Sequence, residues 1–333
     1  MLNPNAKLNS KLFNDDVEQI PIRKGFGQGL VKAGEADARV VALCADLTES
    51  TQMYLFKERF HERFVEIGVA EQNLVTVASG MAAMGKIPFC SSYAMFSPGR
   101  NWEQIRTTIA YNDRPVVIVG SHAGISVGPD GGTHQVIEDI ALMRVLPNMI
   151  VVSPCDAHEA HRATLALAKT GKPAYLRLAR EKTPVMTTEE TPFELGKGYV
   201  AWQPEQGLAQ VGIIATGALL YKAIKVAKEL DKQGVKIKVL NIHTIKPLDI
   251  DAVEKLAREC RAIVTVEEHQ MSGGLGSAVA EYLARTYPVP IEFIGVQNRF
   301  GQSGTPDELI EHYGMGESHI QEAVKNVLKR KTT

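Results

Sequence analysis

The amino-acid sequence predicts an α/β protein with two domains, each built on a parallel sheet. Short β-rich apolar runs alternate with longer stretches of helical periodicity, which is typical of parallel strands covered by helices on both faces. A polar stretch at residues 181–207, with three prolines and several Thr and Glu residues, interrupts this pattern before it resumes. We therefore expect a first domain at residues 20–190 and a smaller second domain at residues 208–330.

Apolar runs predict the strands of the first domain. They occupy residues 39–44, 64–67, 86–90, 115–120, 149–152 and 174–178. After the second run, residues 71–84 carry apolar side chains at helical spacing, and Gly85 is placed to end this helix. Glu71 therefore lies in the first turn of a predicted helix.

The second domain repeats the alternation on a smaller scale. Its predicted strands occupy residues 211–216, 237–241, 262–267 and 291–295. The run GGLGS at 273–277 could surround an anion, but it lacks the lysine of a phosphate-binding loop. We interpret it as a turn that leads into a helix at 278–285.

Composition limits the classes of function. The 333 residues are 44% apolar, which is enough for two buried cores, and the formal net charge of -1 gives no global field for nucleic acid or an anionic membrane. The sequence contains no signal peptide and no apolar stretch of membrane-spanning length, so we expect a cytoplasmic protein without a membrane partner. The four cysteines are widely separated without a CxxC pair, which predicts reduced thiols.

The strongest local signal is the loop SHAGISVGPDGGTH at residues 121–134, which follows the predicted strand at 115–120. Ligands of open α/β sheets bind at the carboxyl ends of strands. The glycines of the loop let the backbone approach a ligand, while His122, Asp130 and His134 supply two imidazoles and a carboxylate. One histidine alone would indicate a structural turn, but three titratable groups favour a site that orients hydroxyls and moves protons. We expect no metal ligands, because the spacing of a catalytic zinc site is absent.

Glu71, within EIGVAEQNLV at residues 66–75, is the second candidate. The helix dipole alone explains many glutamates at helix starts. The apolar neighbours of Glu71 weaken that explanation, because a carboxylate withdrawn from water requires a hydrogen-bond donor. We therefore expect a ligand to donate to Glu71.

The glycine run GFGQG at residues 25–29, with Asp46 at a later strand end, faintly resembles a dinucleotide-binding motif. No predicted strand precedes these glycines, and their spacing is GxGxG rather than GxGxxG. A nicotinamide site is therefore not predicted.

Several segments in the same order make the chain similar to the C-terminal half of transketolase. They are CADLTES at 44–50, IGVAEQN at 67–73, SSYAMF at 91–96, the loop at 122–135 and IKPLD at 245–249. The resemblance covers most of the chain and assigns its two domains as a pyrimidine-binding domain and a transketolase C-terminal domain. It implies a thiamine-diphosphate-dependent transferase that moves a two-carbon ketol unit from a ketose phosphate to an aldose phosphate, as in the pentose phosphate pathway.

The resemblance also implies roles toward the cofactor. Glu71 matches the acid that hydrogen-bonds N1′ of the cofactor's aminopyrimidine. Phe96 and Tyr93 match positions whose rings stack on the pyrimidine, although Tyr93 stands where phenylalanine is more usual. Asp46 matches an acid that supports the cofactor. The segment SPGRNW at 97–102 needs a one-residue insertion, so no third stacking aromatic aligns there.

Further matches concern the substrate. Asp130 matches the group that holds the C2 hydroxyl of the donor sugar, and His134 matches an imidazole near its C1 end. Together with Glu71 and His122, these are the residues to which the resemblance assigns catalysis. The residues that match the family's grip on the substrate phosphate are His122, Arg23, Ser50 and Arg180.

One half of the family's active site is absent from the sequence. No GDG motif with a later Asn is present to bind the diphosphate and its Mg²⁺ or Ca²⁺. We therefore expect an N-terminal transketolase subunit to supply this motif and metal, in an α2β2 heterotetramer.

Other assignments stay open. Deoxyxylulose phosphate synthase and the beta subunit of 2-oxo acid dehydrogenases share features with the chain, but His122, His134 and Arg180 together favour a sugar phosphate over an oxo acid. A noncatalytic paralogue that only binds a partner is a further alternative, and the presence of Glu71 argues against it.

Overall fold

The computed structural model describes residues 1–331 and confirms the α/β class, with parallel strands dominating two sheets. The strands are β1 (Gln19–Pro21), β2 (Val40–Cys44), β3 (Phe64–Glu66), β4 (Ile87–Tyr93), β5 (Val117–Ser121), β6 (Ile150–Val152), β7 (Ala174–Arg177), β8 (Lys182–Pro184), β9 (Tyr199–Trp202), β10 (Val211–Ala215), β11 (Ile237–Asn241), β12 (Thr244–Lys246), β13 (Ile263–Gln270) and β14 (Ile291–Val296). The α-helices are α1 (Ile22–Ala36), α2 (Tyr54–Arg59), α3 (Glu71–Ala83), α4 (Trp102–Gln104), α5 (Asp139–Arg144), α6 (Ala157–Leu167), α7 (Leu220–Lys232), α8 (Ile250–Cys260), α9 (Leu275–Thr286), α10 (Pro306–His312) and α11 (Glu317–Lys331).

The first sheet has the strand order β12-β6-β7-β5-β4-β2-β3. All the predicted strands of the first domain are present in it as β2 to β7, and they run parallel to one another. The side chains of β2 and β5 are buried because helices cover both faces of the sheet, which explains their nearly continuous apolar runs. The predicted helix that starts near Glu71 is confirmed as α3, and Gly85 follows it with φ +84°.

The second sheet has the order β14-β13-β10-β11-β9. Its four parallel strands are the predicted ones. The fifth, β9, lies within the polar stretch between the two predicted domains and pairs antiparallel with β11. The nearby β8 also lies in that stretch and pairs with β1.

Segments from each half of the chain pair with or pack against the domain formed by the other half. Strand β12 comes from the second half of the chain but pairs antiparallel with β6 in the first sheet, with Thr244 opposite Val152. The N-terminal segment packs on the second domain, where the Asn3 amide donates to the carbonyl of Ala201 at 3.0 Å. Buried Leu12 belongs to the same apolar cluster as the second sheet. The domains therefore share a continuous interior.

The glycine run at 25–29 lies inside α1, where it brings this helix against α6. A Cβ atom added at Gly25 would stand 1.8 Å from the carbonyl oxygen of Ala157. The expectation that no strand precedes the run is wrong, because β1 precedes it. The glycines nevertheless have a packing role, because residues without a side chain let α1 and α6 approach each other closely.

The helix that follows the run GGLGS begins earlier than expected. Helix α9 starts at Leu275 and not near residue 278. The carboxylate of Glu267 accepts hydrogen bonds from the amides of Leu275 and Gly276, at 2.7 and 2.8 Å. An acid of the chain itself therefore occupies this helix start, where an anion binds most favourably.

Two further sequence expectations concern the whole chain. The four cysteines are free and buried, and burial raises the pKa of the Cys90 thiol to about 12. Within residues 1–331, no helix combines the length and the apolar character needed to cross a bilayer.

Candidate active site at the carboxyl edge of the first sheet

The predicted site residues follow the ends of adjacent parallel strands. The strands β7, β5, β4, β2 and β3 are neighbours in the sheet, and their register places Gly120 opposite Arg177, and Tyr93 opposite Ser121. The carboxyl ends of parallel strands meet at one edge of a sheet. Along this edge stand Arg180 after β7, His122 after β5, Tyr93 and Phe96 at the end of β4, Asp46 and Ser50 after β2, and Glu71 after β3.

Glu71 is the first residue of α3, and its side chain is only 3% exposed. Its Oε2 atom is buried and accepts no hydrogen bond. The nearest cation is Arg100, whose Nη1 stands 3.6 Å from Oε2, a distance that fits an ion pair but is too long for a hydrogen bond. The Arg100 side chain is 60% exposed, so it can move away. Glu71 thus offers an acceptor atom to a ligand.

Asn101 ties Glu71 to the segment that follows Phe96. Its side-chain amide donates to the carbonyl of Glu71 at 2.8 Å and contacts the Ser97 hydroxyl at 3.1 Å. Sequence reasoning did not select Arg100 or Asn101. The signal for them was the insertion at residues 97–102, where polar side chains follow an aromatic residue close to Glu71 in the fold.

Two aromatic rings and two imidazoles form a cluster beside this segment. The rings of Tyr93 and His122 stack with centroids 4.0 Å apart. Phe96 and His134 meet edge to face at 5.5 Å, and Tyr93 lies 6.3 Å from His134. Such ring surfaces can stack on a flat heterocycle while the imidazoles exchange protons or hydrogen bonds with a neighbour.

His122 is held as a neutral imidazole. Burial lowers its pKa most, the cations of Arg23 and Arg180 and the ring of His134 add to the effect, and the pKa falls to about 3. Its Nδ1 atom lies 2.9 Å from the Ser121 hydroxyl, and its backbone φ is +56°. Near neutral pH this imidazole therefore acts through hydrogen bonds and not through charge.

Arg23 and Arg180 come together although 157 positions separate them. Arg23 Nη1 donates to the carbonyl of Arg180, and Arg180 Nη1 donates to the carbonyl of Val127 in the histidine loop. The Nε atom of Arg23 is buried without a partner. Two guanidinium groups beside His122 form a positively charged cluster that suits an anionic group such as a phosphate.

Asp46 lies at the same edge, in the turn after β2. It is exposed, its φ is +56°, and its amide donates to Glu66 Oε1 at 2.7 Å. Glu66 also accepts from the Thr48 hydroxyl and the Gly68 amide, both at 2.9 Å. Glu66, which sequence reasoning did not select, therefore fixes the turns after β2 and β3 relative to each other.

The structure does not join two predicted residues to the cluster. Ser50 is half-buried and Asp130 is exposed, and among residues 1–331 neither forms a hydrogen bond or ion pair through its side chain. In the same part of the chain, no three His, Cys, Asp or Glu residues are arranged to hold a metal ion.

Fold and site together define the class as an α/β pyrimidine-binding domain followed by a second α/β domain. Residues 18–186 match the family described as transketolase, pyrimidine binding domain, and residues 201–320 match transketolase, C-terminal domain. The chain belongs to the transketolase family. Members of this family depend in general on thiamine diphosphate.

Three relatives show which part of the family the chain is similar to. A split-gene transketolase, solved as an inactive β4 tetramer, is 41% identical with a TM-score of 0.87 over 94% of this chain and 99% of that one. A transketolase C-terminal section of Methanocaldococcus jannaschii is 40% identical over 93% of this chain and 96% of its own length. The 6-deoxy-6-sulfo-D-fructose transketolase subunit of Clostridium sp. is 37% identical over 96% and 98%, respectively. The resemblance to the C-terminal subunit of a split transketolase is therefore confirmed.

Proposed function

We propose that the chain is the C-terminal subunit of a thiamine-diphosphate-dependent transketolase and transfers a two-carbon ketol unit from a ketose phosphate to an aldose phosphate. The observation that carries this proposal is the buried carboxylate of Glu71, whose Oε2 atom accepts no hydrogen bond. Burying a hydrogen-bond acceptor without a donor costs free energy. The position of Glu71 Oε2 at the carboxyl edge of the first sheet therefore supports a bound ligand that donates a hydrogen bond to this atom.

The residues fit thiamine diphosphate. When bound, this cofactor supplies the carbon nucleophile that takes up the two-carbon unit. Glu71 Oε2 would hold the proton shared with N1′ of the aminopyrimidine, and the rings of Phe96 and Tyr93 would pack against that heterocycle. Asp46, in the turn fixed by Glu66, would support the cofactor from the side of β2.

The substrate would lie along the histidine loop. Arg23, Arg180 and neutral His122 would bind the phosphate group, since the buried Arg23 Nε atom still lacks an acceptor. Asp130 and His134 would hold the sugar hydroxyls near the reacting carbons, and Ser50 would extend the phosphate site. Catalysis would thus depend on Glu71, His122, His134 and Asp130.

A second polypeptide would complete the site. We propose that an N-terminal transketolase subunit supplies the diphosphate motif and its Mg²⁺ or Ca²⁺, in a cytoplasmic α2β2 assembly of the pentose phosphate pathway. The name of the split-gene relative, an inactive β4 tetramer, supports the expectation that this chain alone does not turn over substrate.

The test combines the chain with its N-terminal partner and measures transfer from xylulose 5-phosphate to an aldose phosphate. Glu71→Gln keeps the size of the side chain but cannot hold the carboxyl proton, so kcat should fall by about 10²- to 10⁴-fold. Circular dichroism and calorimetry of the mixed and separate subunits measure thiamine diphosphate binding independently of turnover.

Glu103→Gln is the matched control, because Glu103 lies near the same segment but is exposed and does not contact Glu71. Its activity should equal that of the wild type. Turnover that survives in Glu71→Gln would contradict the proposed role of this residue. Cofactor binding by the mixed subunits without any ketol transfer would instead support a noncatalytic paralogue or another substrate, such as the sulfo-sugar named for the Clostridium relative.

A further inference from the structure

The histidine loop is held by the second domain and not only by the strand from which it emerges. Glu268, near the end of β13, is 5% exposed, and its Oε1 atom accepts a hydrogen bond from the Ser126 amide at 2.6 Å. Ser126 lies between the two histidines, four positions after His122 and eight before His134. A carboxylate of the second domain therefore contacts the backbone of the loop that carries the imidazoles.

The loop backbone is shaped to meet this carboxylate. Gly124 has φ +94°, and a Cβ atom at this position would stand 2.3 Å from Glu268 Oε1. Any side chain at Gly124 would therefore displace Glu268 or the loop. A glycine with positive φ at such a close approach indicates that this contact determines the path of the loop.

The other side of the loop is covered by residues 301–306, also from the second domain. The side-chain amide of Gln135 donates to the carbonyl of Gln302 at 2.9 Å and to the carbonyls of Ile125 and Gly128 at 3.1 Å. Because Gln135 is 2% exposed, no water competes for these contacts. The loop is thus enclosed between β13 and this segment.

Glu268 is itself held in place from the first domain. The Nη2 atom of Arg177 donates to the Glu268 carbonyl at 2.8 Å, and Arg177 forms a buried ion pair with Asp139 at 2.8 Å. Burial raises the pKa of Glu268, and the charge of Arg177 opposes that rise. The carboxylate is therefore a fixed acceptor and not a mobile surface group.

We propose that Glu268 is a positioning residue through which the second domain sets the location of the histidine loop, and with it the places of His122 and His134. This rests on the proposed function for the chemistry that the two imidazoles perform. The placement of the loop itself does not depend on that function.

The test measures amide hydrogen exchange of the full chain by mass spectrometry, peptide by peptide. Glu268→Ala removes the acceptor of the buried Ser126 amide, so the peptides covering residues 122–135 should exchange about tenfold faster. Glu268→Gln keeps a side-chain oxygen in reach and should restore the slow exchange. If Glu268→Ala does not fold, Glu268→Asp withdraws the carboxylate by one methylene group and should loosen the same peptides.

Glu267→Ala is the matched control. Glu267 is the preceding residue of β13 and is equally buried, but successive side chains of a strand face opposite sides, and Glu267 binds the start of α9. This variant should loosen the peptides of α9 and leave residues 122–135 unchanged. Equal exchange of the loop in Glu268→Ala and in the wild type, or an equal loosening by Glu267→Ala, would overturn the proposal.

Kinetics of the mixed subunits give a second readout. If the loop is displaced, Glu268→Ala should raise KM for the ketose phosphate and lower kcat, and Glu268→Gln should restore both values. If Glu268→Ala only destabilises the chain, kcat and KM of the molecules that remain folded should equal those of the wild type. If the wild-type assembly transfers no ketol unit, the proposed function fails while the exchange experiment still decides the role of Glu268.

Discussion

His122 shows how the surroundings of one residue determine its chemistry. Its imidazole lies under the ring of Tyr93 and beside two guanidinium groups, so a further positive charge is unfavourable at this place. A neutral imidazole can both donate and accept a hydrogen bond, which suits the proposed role of His122 in binding a phosphate together with Arg23 and Arg180. In that role the two arginines would supply positive charge, and His122 would supply an oriented hydrogen bond.

One prediction concerns the pH at which His122 becomes protonated. With a pKa of about 3, its NMR signal should not shift between pH 8 and pH 5, and His122→Asn identifies the signal. Because the folded pKa lies below the ordinary value of 6.5, this histidine contributes stability above pH 6.5 that is lost as the pH falls toward 3. An added sugar phosphate should raise the pKa by neutralising the two arginines. A midpoint near 6.5 in the free chain would contradict the buried, cation-flanked position.

Arg23 allows a prediction about affinity. Arg23→Ala should raise KM for the phosphorylated donor by about tenfold or more, because a charge-assisted hydrogen bond to the phosphate is lost. Lys24→Ala is the matched control, since Lys24 is the next residue of α1 but is exposed, and its KM should not change. Steady-state kinetics of the mixed subunits measure both. An equal effect of the two variants would indicate a general loss of positive charge and not a specific contact.

At the residue scale, Glu71 and the histidine loop were predictable from local sequence patterns, whereas the arginines and the aromatic rings of the candidate site entered only through the resemblance to transketolase. The apolar neighbours of Glu71 predicted its burial, and the structure places it at 3% exposure. For Arg100 the insertion at residues 97–102 was the only signal, and it did not indicate the contact with Glu71. Glu268 was not predictable, because it reaches Ser126 across 142 positions of the chain and this contact leaves no local pattern.

Helix α1 illustrates how an element uses glycine. Its buried glycines form the face that lies on α2 and α6, so the backbones approach more closely than larger side chains would allow. Gly29 meets α6 near His161, and Gly34 meets the ring of Phe56. The same residues suggested a nucleotide motif in sequence, because glycine permits close approach both to a ligand and to a second helix.

Gly25→Ala should therefore destabilise the chain. The added methyl group would meet the Ala157 carbonyl, and overpacking of this kind costs about 1–3 kcal/mol. Gly80→Ala in α3 is the control, because a Cβ there meets nothing within 4 Å, and it should stabilise the chain by about 0.5–1 kcal/mol. Urea unfolding of both variants measures the difference. Equal stabilities would show that α1 shifts without cost.

Each strand that sequence reasoning missed, namely β1, β8, β9 and β12, has only three or four residues. Strand β9 lies in a polar stretch rich in turn-forming residues, so its four residues carry too little periodicity to be recognised. Strand β12 is three residues long, and it becomes a strand only by pairing with β6. Longer buried strands such as β2 were predicted because their apolar runs are visible without tertiary context.

At the scale of the whole molecule, a buried group of polar residues, Asp139, Tyr175 and Arg177, connects the first domain to the second. Asp139 accepts hydrogen bonds from Tyr175 at 2.7 Å and from Arg177 at 2.8 Å, and Arg177 also reaches the second domain at Glu268. His269 adds a contact to Ala141 at 3.4 Å. Through Arg177 this group contacts the backbone of Glu268, whose carboxylate holds the histidine loop, so we expect the position of the loop to depend on it.

Asp139→Asn tests that dependence. The substitution preserves size but leaves the Arg177 guanidinium buried without its counter-charge, so the free energy of unfolding should fall by about 3–5 kcal/mol. Asp37→Asn breaks the exposed pair with Arg39 and should change stability little, because water and salt screen such pairs. Thermal unfolding measures both. Similar small effects of the two substitutions would mean that the buried ion pair contributes no more to stability than the exposed one.

Strand β12 has a consequence for attempts to divide the molecule. A polypeptide ending in the polar stretch before residue 208 would leave the backbone of β6 without the neighbour that Thr244 and Lys246 provide. Unpaired strand edges template self-association. An exchange of the second half between related proteins would therefore have to include an edge strand that matches β6. Recombination in the polar stretch without such a match would yield aggregates in place of hybrids.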